Sequence, residues 1–406
     1  MVQVSIGWAR AILRLMPPDR EVPDRHVSWV AANARRLRRH GLLPDARLAD
    51  APEAVAAMVG AHAQVQSAAE HSVALRLPQA TRADVQRSLW TDHALTRMPG
   101  PRGTVHLLRT SDLPMWTGAL GAIPQQSPFA PDVRLTLAQT DDIVCAVEDA
   151  LSDTELTLDE LDNEVVRRTG PWAGDRVMPA FQQLWPRWRQ AIDAAAHRGV
   201  LCYGPPRGKR ATYTSPRRWT PGLTPVAAHD AVGWLLRHYL RAFGPATPQQ
   251  FARWIGAPPG WATEQFDSLR AGLVEVQLDG TPAFVARGDH RIGAATPPVA
   301  LLLPYFDSFV VGSHPRTHLY PGAAAARALT TSGQAGNFPV LLLDGVVAGV
   351  WHQRRNGQRI AVTVEPLGPL TRVHRSAIQE EVERIGEILD ARTTLAIGTI
   401  AVGPHA

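Results

Sequence analysis

The feature that most constrains the fold is an order of elements that occurs twice: a helical run, a short capped helix, a further helix, and two strands joined by a turn. In the first copy, residues 140–151 have a helical pattern and a capping box starts the next helix at 157–166. In the second copy, about 90 residues later, the short helix starts at Thr247, and Asp279-Gly280 joins the two strands. This order is typical of winged-helix units. The sequence therefore predicts tandem winged-helix units, although few residues are identical between the copies.

Two further helices are predicted from the spacing of apolar residues. Residues 181–198 form the longer helix of the first copy, with a kink at Pro186, and a strand at 199–204 follows it. Residues 27–41 form a helix near the N-terminus. Its arginines are expected to face solvent: Arg35, Arg36, Arg38 and Arg39.

The C-terminal part has the alternating pattern of a small antiparallel sheet. Apolar segments at 299–303, 309–311, 340–351 and 359–365 predict a meander, with a turn at Asp344-Gly345. A closing helix at 375–389 is expected to pack on this sheet through one apolar face.

Together these patterns predict an α+β protein. A capped helix start at 81–84 and a turn and strand at 99–108 complete another winged-helix unit before the repeated ones. The predicted boundaries are an N-terminal extension at 1–25, winged-helix units at 26–135, 136–222 and 223–290, a β-rich domain with its closing helix at 291–392, and a tail at 393–406.

Amino-acid composition constrains the fold and the function less than the order of elements does. The net charge is +5, and of the 42 basic residues only Lys209 is a lysine. Guanidinium groups suit phosphate recognition, although the codon usage of a GC-rich genome is the main reason for the arginine excess. Cys145 and Cys202 lie in apolar contexts and are expected to be buried and reduced. No apolar run reaches membrane-spanning length and no signal-peptide cleavage site is evident, so we expect a cytoplasmic protein.

The segment Gln64-Val65-Gln66 carries the most distinctive chemistry. Two amides flank one apolar residue inside a stretch rich in alanine, valine and leucine. Side chains two residues apart point the same way on an extended strand but about 200° apart on a helix. If both amides serve one site, the backbone here is therefore irregular or lies at a helix end, and Gly60 is a plausible end for the preceding helix. On pattern alone, a solvated surface pair is the ordinary alternative.

Several separated segments together resemble the winged-helix DNA glycosylases of the AlkZ and YcaQ type. The segments are Gln64-Val-Gln66, Ser88-Leu-Trp90-Thr-Asp92, Arg102-Gly103-Thr104-Val-His106-Leu, Leu303-Pro304-Tyr-Phe-Asp307-Ser-Phe-Val-Val-Gly312 and Asp344-Gly345-Val-Val-Ala-Gly349-Val-Trp351. The resemblance covers roughly residues 27–390. It implies tandem winged-helix units and a C-terminal β-rich domain around a concave DNA-binding channel. It also implies removal of N7-alkylated purines from double-stranded DNA, in some members from interstrand crosslinks.

The resemblance also assigns residues. The catalytic signature of the family, a glutamine, an apolar residue and then Gln or Asp, falls on Gln64, Val65 and Gln66. A DNA-inserting β-hairpin of the family falls on residues 313–318, which contain His314, Arg316 and His318. We also expect DNA contacts from Arg102 and His106 in the first wing and from Lys209 and Arg210 in the second wing. For all of these, an ordinary surface or structural role is the alternative.

Two amides can catalyse this reaction because of the leaving group. An N7-alkylated purine is already cationic and departs as a neutral base, so the enzyme mainly has to place a water and stabilise an oxocarbenium-like sugar. Glutamine oxygens can accept from that water and face the developing charge. Asp307 is a candidate for catalytic support, although a structural hydrogen-bonding role is at least as plausible. We expect no organic cofactor and no metal, because Pro315 separates His314 from His318 and no acidic ligand is near.

The rival function is a non-catalytic winged-helix DNA-binding protein or transcriptional regulator. Such a protein normally binds paired half-sites as a dimer, whereas this sequence has no evident dimerisation heptads or ligand-sensing motif. We therefore favour a monofunctional glycosylase that acts as a monomer on nucleoid DNA. A third possibility is a family member that has lost its activity. The intact glutamine pair argues against this possibility. The sequence does not specify the preferred adduct, or whether the protein protects its host from a self-made genotoxin.

Overall fold

The N-terminal part of the fold is a helical unit with a small sheet. The computed structural model describes residues 26–124, 127–179, 183–289 and 299–403. The first elements in chain order are β1 (His26–Val27), α1 (Trp29–Arg39), α2 (Ala51–Ala57), β2 (Ala61–His62), α3 (Gln66–Ala74), α4 (Arg82–Trp90), β3 (Leu95–Pro99), β4 (Val105–Arg109) and α5 (Leu113–Gly121). Strands β2, β4 and β3 form a three-stranded sheet in that order. The Thr81 and Asp84 side chains form the predicted capping box at the start of α4.

Two more helical units follow, each with its own three-stranded sheet. The second unit contains α6 (Leu137–Leu151), β5 (Leu156–Thr157), α7 (Leu158–Thr169), β6 (Arg176–Pro179), β7 (Leu184–Pro186), α8 (Ile192–His197), β8 (Cys202–Arg207) and β9 (Arg210–Thr214). The third contains α9 (Ala228–Phe243), α10 (Pro248–Ile255), α11 (Pro259–Ser268), β10 (Leu273–Leu278) and β11 (Thr281–Ala286). The sheet orders are β5-β9-β8 and β1-β10-β11. Strand β1 therefore pairs with the third unit, whereas the sequence placed residues 26–39 with the first.

The C-terminal domain is a five-stranded sheet covered by helices. Its elements are β12 (Ala300–Leu303), α12 (Ser308–Gly312), α13 (Arg316–Leu319), α14 (Ala323–Ala328), β13 (Val340–Leu343), β14 (Val346–Asn356), β15 (Arg359–Pro366), α15 (Arg372–Leu389) and β16 (Arg392–Ile397). The first four strands form the predicted antiparallel meander, and Asp344-Gly345 turns between β13 and β14 with positive φ at both residues. The whole chain is an α+β fold. Among the described residues, no helix is long and apolar enough to cross a membrane.

Some sequence predictions were wrong. A long helix over 181–198 is not formed: β7, a 3₁₀ turn and the short α8 occupy residues 184–197, and residues 180–182 lie outside the described part of the chain. Residues 309–311 belong to α12 and not to a strand. The tail expected from 393 contains β16, which pairs in parallel with β15, so the sheet is not purely antiparallel. Cys145 is exposed, whereas Cys202 is buried as expected.

The arginines of α1 also depart from the prediction. Arg35 and Arg36 are buried, and both guanidiniums donate to backbone carbonyls at the C-terminal end of α9 or just after it, at Arg241 and Pro245 for example. These partners lie about 206 and 209 residues further along the chain. A local pattern of apolar residues cannot reveal them, because arginine is buried only where distant acceptors satisfy its donors.

Two large apolar cores hold the chain together. One core joins the first unit to the C-terminal sheet and contains, for example, Val73, Leu302 and Ile385. The other joins the second and third units and contains, for example, Trp188 and Phe251. Helix α3 lies in the first core, where its residues from Ala68 to Ala74 are all buried. This core therefore fixes α3 against the C-terminal domain.

A buried ion pair connects these same two parts. The Arg76 guanidinium, just after α3, donates two hydrogen bonds to the Asp307 carboxylate at 2.8 and 2.9 Å, and both side chains are 0% exposed. Asp307 also accepts from the Ser72 hydroxyl at 2.6 Å and from the Phe309 amide at the start of α12. Burial raises the pKa of Asp307, but Arg76 and these hydrogen bonds outweigh burial and lower it overall. All the strong acceptor positions of this carboxylate are engaged inside the protein.

Removing one partner of this pair should strongly destabilise the fold. We predict that Arg76→Met lowers the free energy of unfolding by about 3–5 kcal/mol, because it leaves the Asp307 carboxylate buried without its cation. The matched control is Arg87→Met, since Arg87 pairs with Asp84 on the exposed face of α4 and should contribute no more than about 1 kcal/mol. Urea unfolding of both variants checks this. Equal losses in the two variants would show that the buried pair has no special role.

Candidate active site

The two glutamines lie at the start of helix α3. Gln64 is in a bend, Val65 has an extended backbone (φ −106°, ψ 99°), and Gln66 is the first helical residue. No side chain caps this helix start, as Val65 has no polar atom to offer. Gln64 is exposed and Gln66 is partly exposed. The expected irregular backbone at a helix end is confirmed, and both glutamines lie at the start of this helix with at least part of each residue exposed.

The turn before the glutamines explains this geometry. Gly60 has a positive φ of 89°, and its added Cβ would lie 3.0 Å from the Leu108 side chain. The chain then forms β2, whose His62 pairs with His106 of β4. The Gly60 carbonyl accepts a hydrogen bond from the Ser308 hydroxyl of α12 at 2.9 Å. Glycine is needed here both for its φ and for the close approach of β4.

In each glutamine side chain, a hydrogen bond holds one end of the amide group. The Gln64 Oε1 atom accepts from the Val105 backbone N–H at 3.4 Å, and the Gln66 Nε2 atom donates to the Glu70 carboxylate at 2.8 Å. A backbone N–H can only donate, so it faces the oxygen of Gln64. The Nε2 of Gln64 and the Oε1 of Gln66 have no hydrogen-bond partner in the described part of the chain. The pair therefore presents one amide donor and one carbonyl acceptor, and not the two oxygens expected from the sequence.

Glu70 determines which way the Gln66 amide faces. Its carboxylate is 1% exposed and accepts from Arg82 at 2.6 and 2.9 Å and from Gln86 at 3.0 Å. A carboxylate paired with a guanidinium is an acceptor only, so Gln66 must turn its NH₂ group inward. Sequence reasoning missed Glu70 and Arg82. The spacing of four residues between Gln66 and Glu70 in a helix was the available signal.

The β3–β4 hairpin, which the sequence predicts as the first wing, places its two candidate residues differently. His106 is buried, its Nδ1 lies 2.8 Å from the Thr104 carbonyl oxygen, and its ring packs edge-on against His62. Burial, with smaller contributions from His62 and Arg102, lowers the pKa of His106 well below its ordinary value. A buried, neutral ring is unsuited to phosphate contact, so the structure gives no support for His106 as a DNA ligand.

Arg102 lies at the exposed tip of the same wing. Its backbone is left-handed (φ 62°), and its guanidinium donates to the Trp254 carbonyl of α10. Arg253 on α10 is exposed and has no ion pair within the described residues. His314 faces this group: burial, followed by the positive charges of Arg316, Arg253 and Arg102, lowers its pKa to about 3. Sequence reasoning missed Arg253, because only the packing of α10 on the first wing brings it to this surface.

Residues 313–318 do not form the expected hairpin. They connect α12 to α13 through a cis peptide bond between His314 and Pro315. The Arg316 guanidinium donates to the carbonyls of Val310, Val311 and Ser313, so it stabilises this connection. His318 is exposed and its ring stacks on Trp29 at 4.3 Å. Of the three predicted DNA contacts in this segment, His318 is exposed, His314 is partly buried, and the Arg316 guanidinium is bound to backbone acceptors.

The turn between β8 and β9, which the sequence predicts as the second wing, is exposed. Lys209 and Arg210 lie at the turn between β8 and β9, whereas Arg207 beside them pairs with Glu160. Strand β8 lies against the first unit, since the Arg97 guanidinium of β3 sits over the Tyr203 ring at 4.4 Å. Lys209 and Arg210 form no ion pair with any other described residue. They are available to an anionic partner.

Asp307 contacts Ser72 and Arg76 at the C-terminal end of α3, whereas the glutamine pair lies at the start of that helix. Its oxygens are engaged by Arg76, Ser72 and the start of α12, which leaves none for a reacting group. This supports the structural alternative for Asp307. Across the described ranges, no three His, Cys, Asp or Glu side chains are grouped in a way that could hold a metal ion.

The chain is similar to known DNA repair proteins. A family model described as DNA glycosylase AlkZ-like matches residues 55–388. An interstrand DNA cross-link repair glycosylase of Streptomyces sahachiroi is 30% identical over 384 residues, which cover 88% of this chain and 96% of that protein. The solved structure of the Streptomyces sahachiroi DNA glycosylase AlkZ superposes with a TM-score of 0.77 and 27% identity, covering 92% of this chain and 100% of that one.

The buried histidines should make the fold sensitive to acid. Burial is the main cause that lowers the pKa of His40 to about 3 and of His62 and His71 to about 4. Between pH 6.5 and about 4 the unfolded chain binds protons that the folded chain does not. The stability present above pH 6.5 is therefore lost over this interval, by up to about 1.4 kcal/mol per pH unit for each ring.

Urea unfolding at pH 7, 6 and 5 measures this loss. We predict a midpoint that falls at each step, and a shallower fall in a His62→Gln variant, which has one such ring fewer. An unchanged midpoint from pH 7 to 5 would mean that these rings are protonated in the folded protein.

Proposed function

The chain belongs to the AlkZ-like family of DNA glycosylases, and on this basis we propose that it hydrolyses the N-glycosidic bond of N7-alkylated purines in double-stranded DNA. We assign Gln64 and Gln66 as the catalytic pair. The observation that supports this assignment is the hydrogen bonding of the two amides at the start of α3: the Gln64 NH₂ group and the Gln66 carbonyl oxygen have no partner among the described residues, which leaves one donor and one acceptor for a substrate. The relative's name, an interstrand cross-link repair glycosylase, extends the proposal to purines joined across the two strands.

The proposed chemistry suits a pair of amides. Glutamine cannot act as a general base near neutral pH. An alkylated purine carries a positive charge before the bond breaks and leaves as a neutral base, so no proton has to be supplied to it. The barrier that remains is placement of a water at C1′ and stabilisation of positive charge on the sugar.

The Gln66 carbonyl oxygen and the Gln64 NH₂ group have different roles in this proposal. The Gln66 carbonyl oxygen accepts a hydrogen bond from the attacking water and faces the oxocarbenium-like sugar with its negative dipole end. The proton that the water loses after it has added to C1′ passes to the solvent. The Gln64 NH₂ group donates to an oxygen of the substrate or of the water. We therefore assign the larger contribution to Gln66, on the order of 2 to 4 kcal/mol of barrier.

Exposed cations near the pair support binding of the DNA backbone. Arg102 and Arg253 are neighbours on one surface, and Lys209 and Arg210 extend the positive charge to the second wing. We propose that these four side chains contact phosphates in a groove formed by the tandem winged-helix units. Such contacts are independent of base sequence and weaken as salt increases.

The rival proposal is a regulator that binds DNA without cleaving it. It predicts tight, sequence-dependent binding to undamaged DNA, whereas a glycosylase binds such DNA weakly and in a salt-sensitive way. Membership in a glycosylase family favours the enzyme. Release of base from alkylated DNA by the wild-type protein would decide between them.

The central test replaces the glutamines. We predict that Gln66→Ala lowers kcat for release of N7-methylguanine from duplex DNA by roughly 10²-fold or more, Gln64→Ala lowers it less, and the double variant has no measurable activity. Alkali cleavage of the abasic product measures the rate, and a gel shift should find unchanged DNA affinity. The matched control is Gln379→Ala, because Gln379 donates to Glu383 four residues on along the exposed face of α15. Full activity of the double variant would refute the assignment.

A second test concerns the orientation of Gln66. Glu70→Gln keeps the size of the side chain but can present either end of an amide, so it no longer fixes the Gln66 carbonyl outward. We predict that kcat falls roughly tenfold with little change in KM, a coupling within the usual range of about 0.5–3 kcal/mol. Glu383→Gln is the matched control on α15.

The double variant separates positioning from general damage to the fold. If Glu70 acts through Gln66, then Glu70→Gln should have almost no further effect in a Gln66→Ala background. If the two losses multiply, Glu70 acts independently of Gln66.

A further inference from the structure

A cavity of about 220 Å³ lies beside the catalytic pair, between the start of α3 and the C-terminal domain. Val65, Ser67 and Ala68, which flank Gln66 in the chain, line one side. Tyr305 and Trp351 of the C-terminal domain line the other. The cavity is therefore formed only where the first unit meets the C-terminal sheet.

The cavity has apolar surfaces that suit a flat ring, next to the polar side chains of Arg82, His352 and Gln353. Trp351 is 3% exposed and is held in place because its indole N–H donates to the Leu303 carbonyl at 2.9 Å. Pro304 and Pro339 add further apolar surface, and Val65, which is 38% exposed, lies at the start of α3. This gives a role to the apolar residue of the motif: Val65, between the two glutamines in sequence, forms an apolar edge of the cavity. Aromatic and proline surfaces of this kind favour stacking with a planar group.

A buried histidine gives the cavity a polar group. His71 lines the cavity, its side chain is 3% exposed, and its Nε2 has no hydrogen-bond partner within the described residues. Burial, and then the charge of Arg82, lowers the pKa of His71 to about 4, so the ring is neutral at pH 7 and has one donor and one acceptor nitrogen. A buried polar atom without a partner is costly and calls for a ligand or water that completes it.

The volume of the cavity limits the size of the group that it can bind. Sites for drug-sized ligands occupy about 300–1,000 Å³, so 220 Å³ holds a single ring system and excludes a whole nucleotide. The sugar and phosphate would then remain outside, near the glutamines. This is the arrangement that attack at C1′ requires if part of the damaged base enters the cavity.

We infer that this cavity binds a flat heteroaromatic or aromatic ring of the damaged nucleotide, with His71 completing a hydrogen bond to its polar edge. The inference rests on the proposed function, which supplies the nucleotide. The ring has two possible sources with the same chemistry: the alkylated purine itself, or an aromatic substituent on its N7 atom. Binding here would hold the reacting nucleotide against Gln66 before water attacks.

The binding test uses the wild-type protein and needs no catalysis. The free bases 7-methylguanine and 7-benzylguanine are each added to protein with isotope-labelled histidine, and the His71 ring resonance is assigned with a His71→Gln variant. A saturable shift with both bases supports the purine as the occupant. A shift with 7-benzylguanine alone supports the N7 substituent. If neither base shifts the His71 resonance, the inference is overturned.

The activity test fills the cavity. Ala68→Leu places a larger apolar side chain on the cavity wall, and Ala83→Leu on the exposed face of α4 is the matched control. We expect Ala68→Leu to lower kcat/KM at least tenfold on N7-methylguanine and N7-benzylguanine duplexes if the purine enters, or on the benzyl duplex alone if the substituent enters. Rates equal to the Ala83→Leu control on both duplexes would contradict the inference. If the wild-type protein releases no base from either duplex, the proposed function fails, and the His71 titration still decides whether the cavity binds the ring.

Discussion

The geometry of the glutamine pair depends on the buried ion pair between Arg76 and Asp307. Asp307 begins α12 and binds the side chain that follows α3, so one carboxylate sets the position of both helices. The neighbouring Ser308 hydroxyl reaches the Gly60 carbonyl, just before the turn that leads to the glutamines. A charged group held without water has few alternative arrangements, because any movement leaves it uncompensated. The ion pair therefore opposes any shift of α3, which carries the amides at its start, relative to the C-terminal sheet.

The arrangement also shows how uncharged side chains acquire a defined polarity. An amide can present either end to a substrate, and in water the two orientations differ little in free energy. Glu70 and the Val105 N–H remove this freedom, each by offering only one kind of hydrogen-bonding group. Arg82 and Gln86 hold Glu70 in turn, so the selectivity comes from a network below the surface. Preorganised dipoles of this kind lower the barrier because they need not reorient during the reaction.

Much of the fold could be predicted because its signals are local. The capping boxes at the starts of α4, α7 and α10 and the turns at Asp279-Gly280 and Asp344-Gly345 all act within a few residues. The same holds for the helix end at the glutamine pair. The errors arose where distant contacts decide the structure. The Arg36 guanidinium is buried because a carbonyl 209 residues away accepts from it, and Arg253 joins the cationic surface only through packing on the first wing. Residues 313–318 were assigned by analogy, and nothing local in them required a hairpin.

The pairing of β1 with β10 has a consequence for how the molecule is made. The Trp29 amide, two residues after β1, donates to Asp279 across 250 residues of sequence, and β1 lies parallel to a strand of the third unit. During synthesis β1 therefore leaves the ribosome long before β10 has been made. Strand β1 therefore remains unpaired until most of the polypeptide has been synthesised. Its late pairing with β10 then closes a loop that contains the first two units.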